Sequence, residues 1–325
     1  MIITRTPFRV SFAGGGSDLR SYYSKYGGSV VSTAINKYIY LSMHPYFYEN
    51  KFFLKYSKNE LVDNVNRVDH KIIRQVFQDY EIAGVDFNSS ADVPASTGLG
   101  SSSAFTVGLT NLCNAFTNKY MSKEDMAAYA CTVEIDKLGE PIGKQDQYAC
   151  AVGGINYIRF NSDESVEVEK ILLRKEKAEE LENNLLLFYL GSTRSASAIL
   201  REQKQNLSEN KNGLNNLHKM VELSNVLRRE LQNNNVDSLG EVLHAGWIYK
   251  RELASCITNE MIDHYYNTAI ENGAIGGKLL GAGGGGFLLL YVRRQEQERL
   301  RRALRDLNEF QFKFDTIGST VIYYD

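Results

Sequence analysis

The spacing of apolar and polar positions divides the chain into elements. Residues 1–13 follow a strand pattern, and 28–48, rich in Val, Ile and Tyr, read as one or two more strands. Residues 52–56 add a short strand, 68–80 have helical spacing, and 86–92 predict a strand feeding a glycine-rich turn. From Ala104 the apolar residues Phe105, Leu109, Leu112, Cys113 and Phe116 recur at helical spacing, which predicts a helix beginning near Ser101. Ser122-Lys123-Glu124-Asp125 reads as a capping box with an acidic closing residue, opening a helix to about Leu138. Long helices are predicted over 195–210, 214–232, 236–252 and 259–271, then a strand over 286–292, a helix over 295–306 and a strand over 318–324. Strands and helices mix without strict βαβ alternation, so the expected class is α+β rather than a doubly wound sheet.

A length of 325 residues favours two domains or one large one, and 43% hydrophobic with 23% charged residues is ordinary for a globular protein. The polar, charge-dense stretch 161–184 ends where Leu185-Leu186-Leu187-Phe188-Tyr189-Leu190 starts a buried strand. That change places a domain boundary inside the stretch, giving domains of 1–170 and 171–325. A net charge of −2 supplies no basic field for nucleic acid or an anionic membrane. Cys113, Cys131, Cys150 and Cys256 form no CxxC pair and read as reduced thiols. No apolar run is long enough to span a bilayer, and the first residues carry a strand pattern rather than a secretory signal, so a cytoplasmic location is expected. His44, His70, His218, His244 and His264 show no metal-ligand spacing, so zinc is not indicated.

The candidate chemistry lies in the glycine clusters. Pro94-Ala95-Ser96-Thr97-Gly98-Leu99-Gly100-Ser101-Ser102-Ser103-Ala104 is a turn running straight into a helix start. Free N–H groups and the positive dipole end at such a start bind anions, and Gly98 and Gly100 let backbone approach a phosphate. The hydroxyls of Ser101, Ser102 and Ser103 can reach phosphate or magnesium. No Walker A string occurs. Gly281, Gly283 and Gly286 formally match a dinucleotide fingerprint, but a strand-like run follows where that site requires a helix. That run is either a loop letting backbone pack close to a substrate or a tight structural turn. Glu134 shares a helix face with Ala127, Ala130, Cys131 and Leu138, so its carboxylate is expected to point inward. There it meets either a magnesium ion shared with nucleotide phosphates, or a buried ion pair or capping contact.

Two further strings are Arg5-Thr6-Pro7-Phe8-Arg9-Val10-Ser11-Phe12-Ala13-Gly14-Gly15-Gly16-Ser17-Asp18 and Lys278-Leu279-Leu280-Gly281-Ala282-Gly283-Gly284-Gly285-Gly286-Phe287. With the Pro94–Ala104 segment, they resemble the three ordered signature motifs of the GHMP small-molecule kinases. The resemblance implies an α+β, two-domain fold: an N-terminal ATP-binding domain with a left-handed βαβ unit and a ferredoxin-like C-terminal domain. It implies ATP and Mg2+ as cofactors, with Pro94, Ser96, Gly98, Leu99, Gly100, Ser101, Ser102 and Ser103 at the nucleotide. Ser102 and Glu134 would take the metal. The catalytic Asp is expected at Asp146, within Gly143-Lys144-Gln145-Asp146-Gln147-Tyr148, where a carboxylate accepts or orients the attacking hydroxyl proton. Arg9 would lie beside it and hold it ionised, the alternative being a surface salt bridge.

Gly15, Gly16, Ser17, Asp18, Arg194, Gly283 and Gly284 are the expected acceptor contacts, with Lys37 and Lys144 as weaker candidates for a phosphate on the acceptor. Arg194, just before a predicted helix, is either an anion site or a capping-region salt bridge. Tyr56 and Ser57 would line the base. Galactokinases carry acidic and histidine residues where Gly15 and Gly16 stand, and the Gly-Gly-Gly-Ser-Asp version resembles the heptose-phosphate kinase branch. So do Asn36-Lys37-Tyr38-Ile39-Tyr40 and Gly191-Ser192-Thr193-Arg194-Ser195. The expected reaction is phosphorylation of the anomeric C1 hydroxyl of D-glycero-D-manno-heptose 7-phosphate, for nucleotide-activated heptose and surface polysaccharide. Alternatives are another sugar 1-kinase of fucose or galactose type, a silent sugar- and ATP-binding sensor, or a decarboxylase like the mevalonate diphosphate enzyme. Expected partners are the sugar phosphate and ATP, with neither nucleic acid nor membrane; a homodimer is compatible with the sequence.

Overall fold

A computed structural model describes residues 1–48, 50–191, 199–202, 206 and 211–325. The helix expected over 195–210 and the acceptor candidate Arg194 fall largely or wholly outside the described residues. The first sheet is built on β1 (Ile2–Ala13) and β2 (Gly28–Pro45), paired antiparallel along most of their length. At 18 residues β2 is long enough to serve two neighbours. Its first part, Gly28 to Thr33, pairs with β6 (Ile155–Phe160), and Ile39 to Pro45 pairs with β5 (Val85–Ala91). Beyond β5 lie β3 (Phe52–Lys55), parallel to it, and β4 (Asn59–Val62). β7 (Val166–Lys170) joins β6, and β12 (Thr320–Tyr324) returns to the free edge of β1.

A parallel pair needs a crossover, and α2 (Lys71–Asp79) supplies it between β3 and β5. α3 (Ser101–Phe116) packs across β1 and β2 with its residues buried nearly all round. Gly108 allows this approach, since a Cβ there would lie 2.8 Å from the Thr6 hydroxyl. The Ser122 hydroxyl caps α4 (Lys123–Cys131) as its sequence predicts, accepting from the Asp125 N–H at 3.0 Å. The helix then widens into a π segment over Thr132–Lys137 before ending at Leu138.

The second sheet is antiparallel in the order β11 (Asn308–Glu309), β8 (Leu185–Tyr189), β10 (Phe287–Val292), β9 (Ala274–Leu279). Between β8 and β9 come α7 (Lys211–Gln232), α8 (Ser238–Arg251) and α9 (Glu260–Glu271); α10 (Gln297–Ala303) joins β10 to β11. Numbered along the chain, the sheet runs fourth, first, third, second, with helices in both split connections, which is the ferredoxin-like arrangement. β8 and β10 are continuous apolar runs because both faces are covered. Leu185, Leu187, Leu289 and Tyr291 join the core shared with the first sheet, while Leu186, Phe188, Leu288 and Leu290 join a second core under the helices. We place the domain boundary after Lys170, where β7 ends, although the core runs on across it.

Elements missed by periodicity have local causes. α5 (Gln145–Val152) opens without a side-chain cap, as does α1 (Arg20–Tyr26), and α6 (Lys175–Asn183) buries only Leu181. No helix among the described residues is long and apolar enough to cross a membrane.

Candidate active site

The glycine-rich turn before α3 meets the end of the second sheet along a cleft of about 1130 Å³. The turn places Ser96, Gly98 and Gly100 at φ of 64°, 87° and 77°, alternating with residues of ordinary φ, so it folds as a concave backbone nest. Gly100 is the N-cap of α3, and no side chain caps it, so the first-turn N–H groups remain open to an anion beside the cleft. Pro94, Ser96, Gly98, Gly100, Ser101, Ser102 and Ser103 line the cleft, whereas the Leu99 side chain is buried. The glycines are required by protein neighbours as much as by a ligand. A Cβ on Gly98 would sit 2.7 Å from the Leu280 carbonyl, and one on Gly100 would sit 3.2 Å from both Arg9 Cγ and Asp146 Oδ2.

Arg9 and Asp146 form the centre of the site. The Arg9 Nε–H donates to Asp146 Oδ1 at 2.7 Å and Nη2 to Oδ2 at 2.6 Å, a side-on pair. Nη1 donates to the Gly98 carbonyl at 2.6 Å, and the Leu99 carbonyl accepts from the Arg9 backbone at 3.0 Å. Strand, turn and α5 are thereby locked together. The Arg9 side chain is 5% exposed and that of Asp146 26%, so the pair is buried on the arginine side and opens to the cleft through the carboxylate. The surface-salt-bridge alternative for Arg9 is thereby excluded.

α5 fixes two more carboxylates. The backbone N–H of Gln145 donates to Asp18 Oδ2 at 3.2 Å, and that of Gly16 donates to Oδ1 at 2.9 Å. Burial, then the nearby negative charge of Asp146, raises the Asp18 carboxyl above its ordinary pKa. Gln147 Nε2 donates to Glu134 Oε2 at 2.8 Å, and the Ser102 hydroxyl donates to Oε1 at 2.7 Å. Glu134 is buried beneath Ser102, one hydrogen bond behind the cleft wall, and burial raises its pKa despite those donors. Gln145, Gln147 and Ser11, whose hydroxyl donates to Gln145 Oε1 at 2.8 Å, were not singled out by the sequence. All three lie inside the quoted strings, but nothing in those strings shows which neutral side chains hydrogen-bond to the carboxylates.

The remaining expectations divide. Gly15, Gly16 and Asp18 line the cleft, while Ser17 is buried against β2 through a 3.0 Å bond to the Ser29 carbonyl. Gly283 and Gly284 do not line it: they pack on Ile257, whose carbonyl accepts from the Gly284 N–H at 2.8 Å. Gly281 and Ala282 face the cleft instead, and Gly286 abuts Thr97. Tyr56, Ser57 and His70 line its far end, where the His70 ring lies 4.9 Å from that of Phe105. Lys144 is paired with Glu164 at 2.6 Å, and Lys37 lies over the Phe310 ring; neither lines the cleft. Three lysines not singled out from the sequence do, the exposed Lys71 and the buried Lys250 and Lys278.

Fold and cleft are those of a phosphotransferase acting on small molecules. The GHMP kinases N terminal domain matches residues 66–154 and the GHMP kinases C terminal model matches 227–309. The chain belongs to the GHMP kinase family. It is 29% identical to a D-glycero-alpha-D-manno-heptose 7-phosphate kinase of Campylobacter jejuni, covering 98% of each chain. A galactokinase of Thermococcus kodakarensis is 27% identical over 93% of this chain and 92% of its own. Among solved structures, a D-glycero-D-manno-heptose 1-phosphate kinase from Bacteroides thetaiotaomicron superposes with a TM-score of 0.81 over all of both chains. At 22% identity that likeness establishes the shared two-domain fold.

Proposed function

We propose that this enzyme transfers the γ-phosphoryl group of ATP to the anomeric C1 hydroxyl of D-glycero-D-manno-heptose 7-phosphate, giving the 1,7-bisphosphate and ADP. The observation that carries the reading is the Arg9–Asp146 pair, whose carboxylate edge opens to the cleft next to the uncapped start of α3. In this reading the carboxylate is the proton acceptor and the helix start is the phosphate cradle. The Campylobacter relative supports the choice of acceptor.

The nest of Ser96 to Gly100 and the N–H groups of Ser101 to Ser103 hold the nucleotide phosphates, with Tyr56, Ser57 and His70 flanking the base. Gly15, Gly16 and Asp18 hold the sugar hydroxyls; each Asp18 oxygen already accepts one backbone bond and keeps a lone pair for the acceptor. Asp146 accepts the C1 hydroxyl proton as that oxygen bonds to the γ-phosphorus and the bond to the ADP oxygen breaks. Arg9 holds that carboxylate in place through its two hydrogen bonds. Ser102 and Glu134 offer hard oxygen donors, the set that suits magnesium held by a single carboxylate plus phosphates. Bound there, Mg2+ would neutralise phosphate charge. Its product would feed nucleotide-activated heptose for surface polysaccharide.

A coupled ADP-release screen over heptose 7-phosphate, free heptose, galactose and fucose tests the assignment, with phosphorus NMR locating the new phosphate. A new anomeric phosphate on heptose 7-phosphate is the expected result. Preference for galactose or fucose would overturn the acceptor and leave a sugar kinase, whereas carbon dioxide release from a diphosphate acid would overturn the kinase reading itself.

A further inference from the structure

Lys250 on α8 and Lys278 on β9 are 9% and 6% exposed, and both line the cleft. Neither is ion-paired with a carboxylate among the described residues. Lys250 Nζ donates to the carbonyls of Leu279 and Gly281 at 2.9 and 2.6 Å. Among the described residues, Lys278 Nζ has only a long 3.4 Å contact to the Phe12 carbonyl, at the end of β1 that leads into the Gly14–Asp18 turn. Of the other cations, Arg9 is committed to Asp146 and Lys144 to Glu164, Lys37 lies over the Phe310 ring, and Lys71, which also lines the cleft, is solvent-exposed.

Two buried ammonium groups satisfied only by carbonyls are costly unless a counter-charge arrives. We propose that Lys278, backed by Lys250, is the receptor for a phosphate dianion in the cleft, and that this dianion is the terminal phosphate of the acceptor sugar. The inference rests on the acceptor reading above. A phosphate dianion could also come from the nucleotide, as its γ-phosphoryl group, and the two sources are separable.

The electrostatics agree with an anion site. Burial, then the positive charge of Arg9, brings the Lys278 ammonium down to about 7, with Asp18 opposing. Burial, then Lys278, then Arg9 lowers Lys250 as well. The charged groups facing Lys278 are therefore Arg9 from β1, Lys250 from α8 and Asp18 from the glycine turn. An arriving dianion restores the Lys278 proton. At pH 8 a group of pKa about 7 is mostly neutral, so binding should take up close to one proton, roughly 0.5–0.9.

The experiment compares wild type with Lys278→Met, Lys278→Arg and Lys250→Met, each checked for a native denaturation midpoint. Lys278→Met should raise KM for heptose 7-phosphate about 10–150-fold, the worth of a charged hydrogen bond, and change KM for free heptose much less. Lys278→Arg should restore part of that preference. Calorimetry at pH 8 in buffers of different ionisation enthalpy should show proton uptake by wild type with heptose 7-phosphate, none with free heptose, and a smaller uptake by Lys278→Met, where Lys250 alone remains to be protonated. If Lys278→Met instead loses the preference for ATP over ADP and keeps that for the phosphorylated sugar, the anion site stands and its source is the γ-phosphoryl group. If neither preference changes in a folded Lys278→Met protein and proton uptake is undiminished, the proposal is overturned. Wild type that does not distinguish heptose 7-phosphate from free heptose would refute the acceptor reading, while the ATP and ADP arm would still decide whether the lysines bind phosphate.

Discussion

Breaking the Arg9–Asp146 pair from each side, and from both, measures how far site and fold are coupled. Arg9→Met removes bonds of 2.7 and 2.6 Å to Asp146 and one of 2.6 Å to the Gly98 carbonyl. Removing one partner of a buried pair costs about 3–5 kcal/mol. Asp146 is 26% exposed and regains some hydration, so Arg9→Met should fall at the low end, about 3 kcal/mol. Asp146→Asn keeps the side-chain volume but strands a guanidinium that is only 5% exposed, so its cost should lie higher, at about 4–5 kcal/mol. The double variant leaves neither charge unpaired and should cost less than the sum by about 1.5–3 kcal/mol. Urea denaturation midpoints give all three values. In turnover, Asp146→Asn should lower kcat by about 10²–10⁴-fold with both substrates still binding. The double variant should be no slower than the worse single one, because the two residues act as a unit. Stability effects that add to within about 0.5 kcal/mol would refute the coupling. An Asp146→Asn kcat within about threefold of wild type would remove that carboxylate from the chemistry.

Gly100→Ala puts a methyl group 3.2 Å from both members of that pair at a φ of 77°, so it should cost about 1–2 kcal/mol and lower kcat while ATP affinity holds. A kcat equal to wild type, or a loss of ATP affinity by calorimetry, would contradict it. Gly143→Ala would place its Cβ 1.9 Å from Asp18 Oδ2, so KM for the acceptor should rise and KM for ATP stay; an unchanged acceptor KM in the folded variant removes Asp18 from sugar binding. Glu134 has a raised pKa and so holds its proton to a higher pH than an ordinary carboxyl group. Its ionised form is lost earlier on acidification, so the magnesium concentration for half-maximal turnover should climb as pH falls from neutral towards about 5. Glu134→Gln should raise that requirement at every pH and flatten its pH dependence; a flat wild-type profile would argue against the assignment.

The residues we propose for the chemistry could be picked out in the sequence because they sit in strings whose chemistry is local: a carboxylate after Gly143, an arginine in a strand, serines opening a helix. The inward face of Glu134 followed from helix period, although the π segment lies under it and has no sequence signature. Lys250 and Lys278 were not readable in the same way. A lysine in an amphipathic helix usually marks the solvated face, and only tertiary packing of α8 against β9 buries Lys250. Lys278 did carry a signal, a lone charge beside Leu279 and Leu280 in an apolar run. β9 escaped notice because Gly276 and Gly277 interrupt its pattern; a Cβ on Gly276 would lie 1.9 Å from the Gly240 carbonyl of α8. Gly283 and Gly284 show the limit of motif transfer. The glycines that face the cleft and those that shape the loop behind it look alike until Ile257 is seen against the latter.

The pairing of β12 with β1 joins Ile2 to Arg5 with Thr320 to Tyr324. Those segments are separated by 315 positions, from residue 5 to residue 320. At a synthesis rate of about 5–20 residues per second, the emerging first strand waits roughly 15–60 s for its outer neighbour. During that time its edge offers unpaired backbone groups to any other nascent chain. The outer edge of β1 is therefore open to strand pairing until residues 320–324 have been made, and that interval is where a chaperone shielding the edge would act.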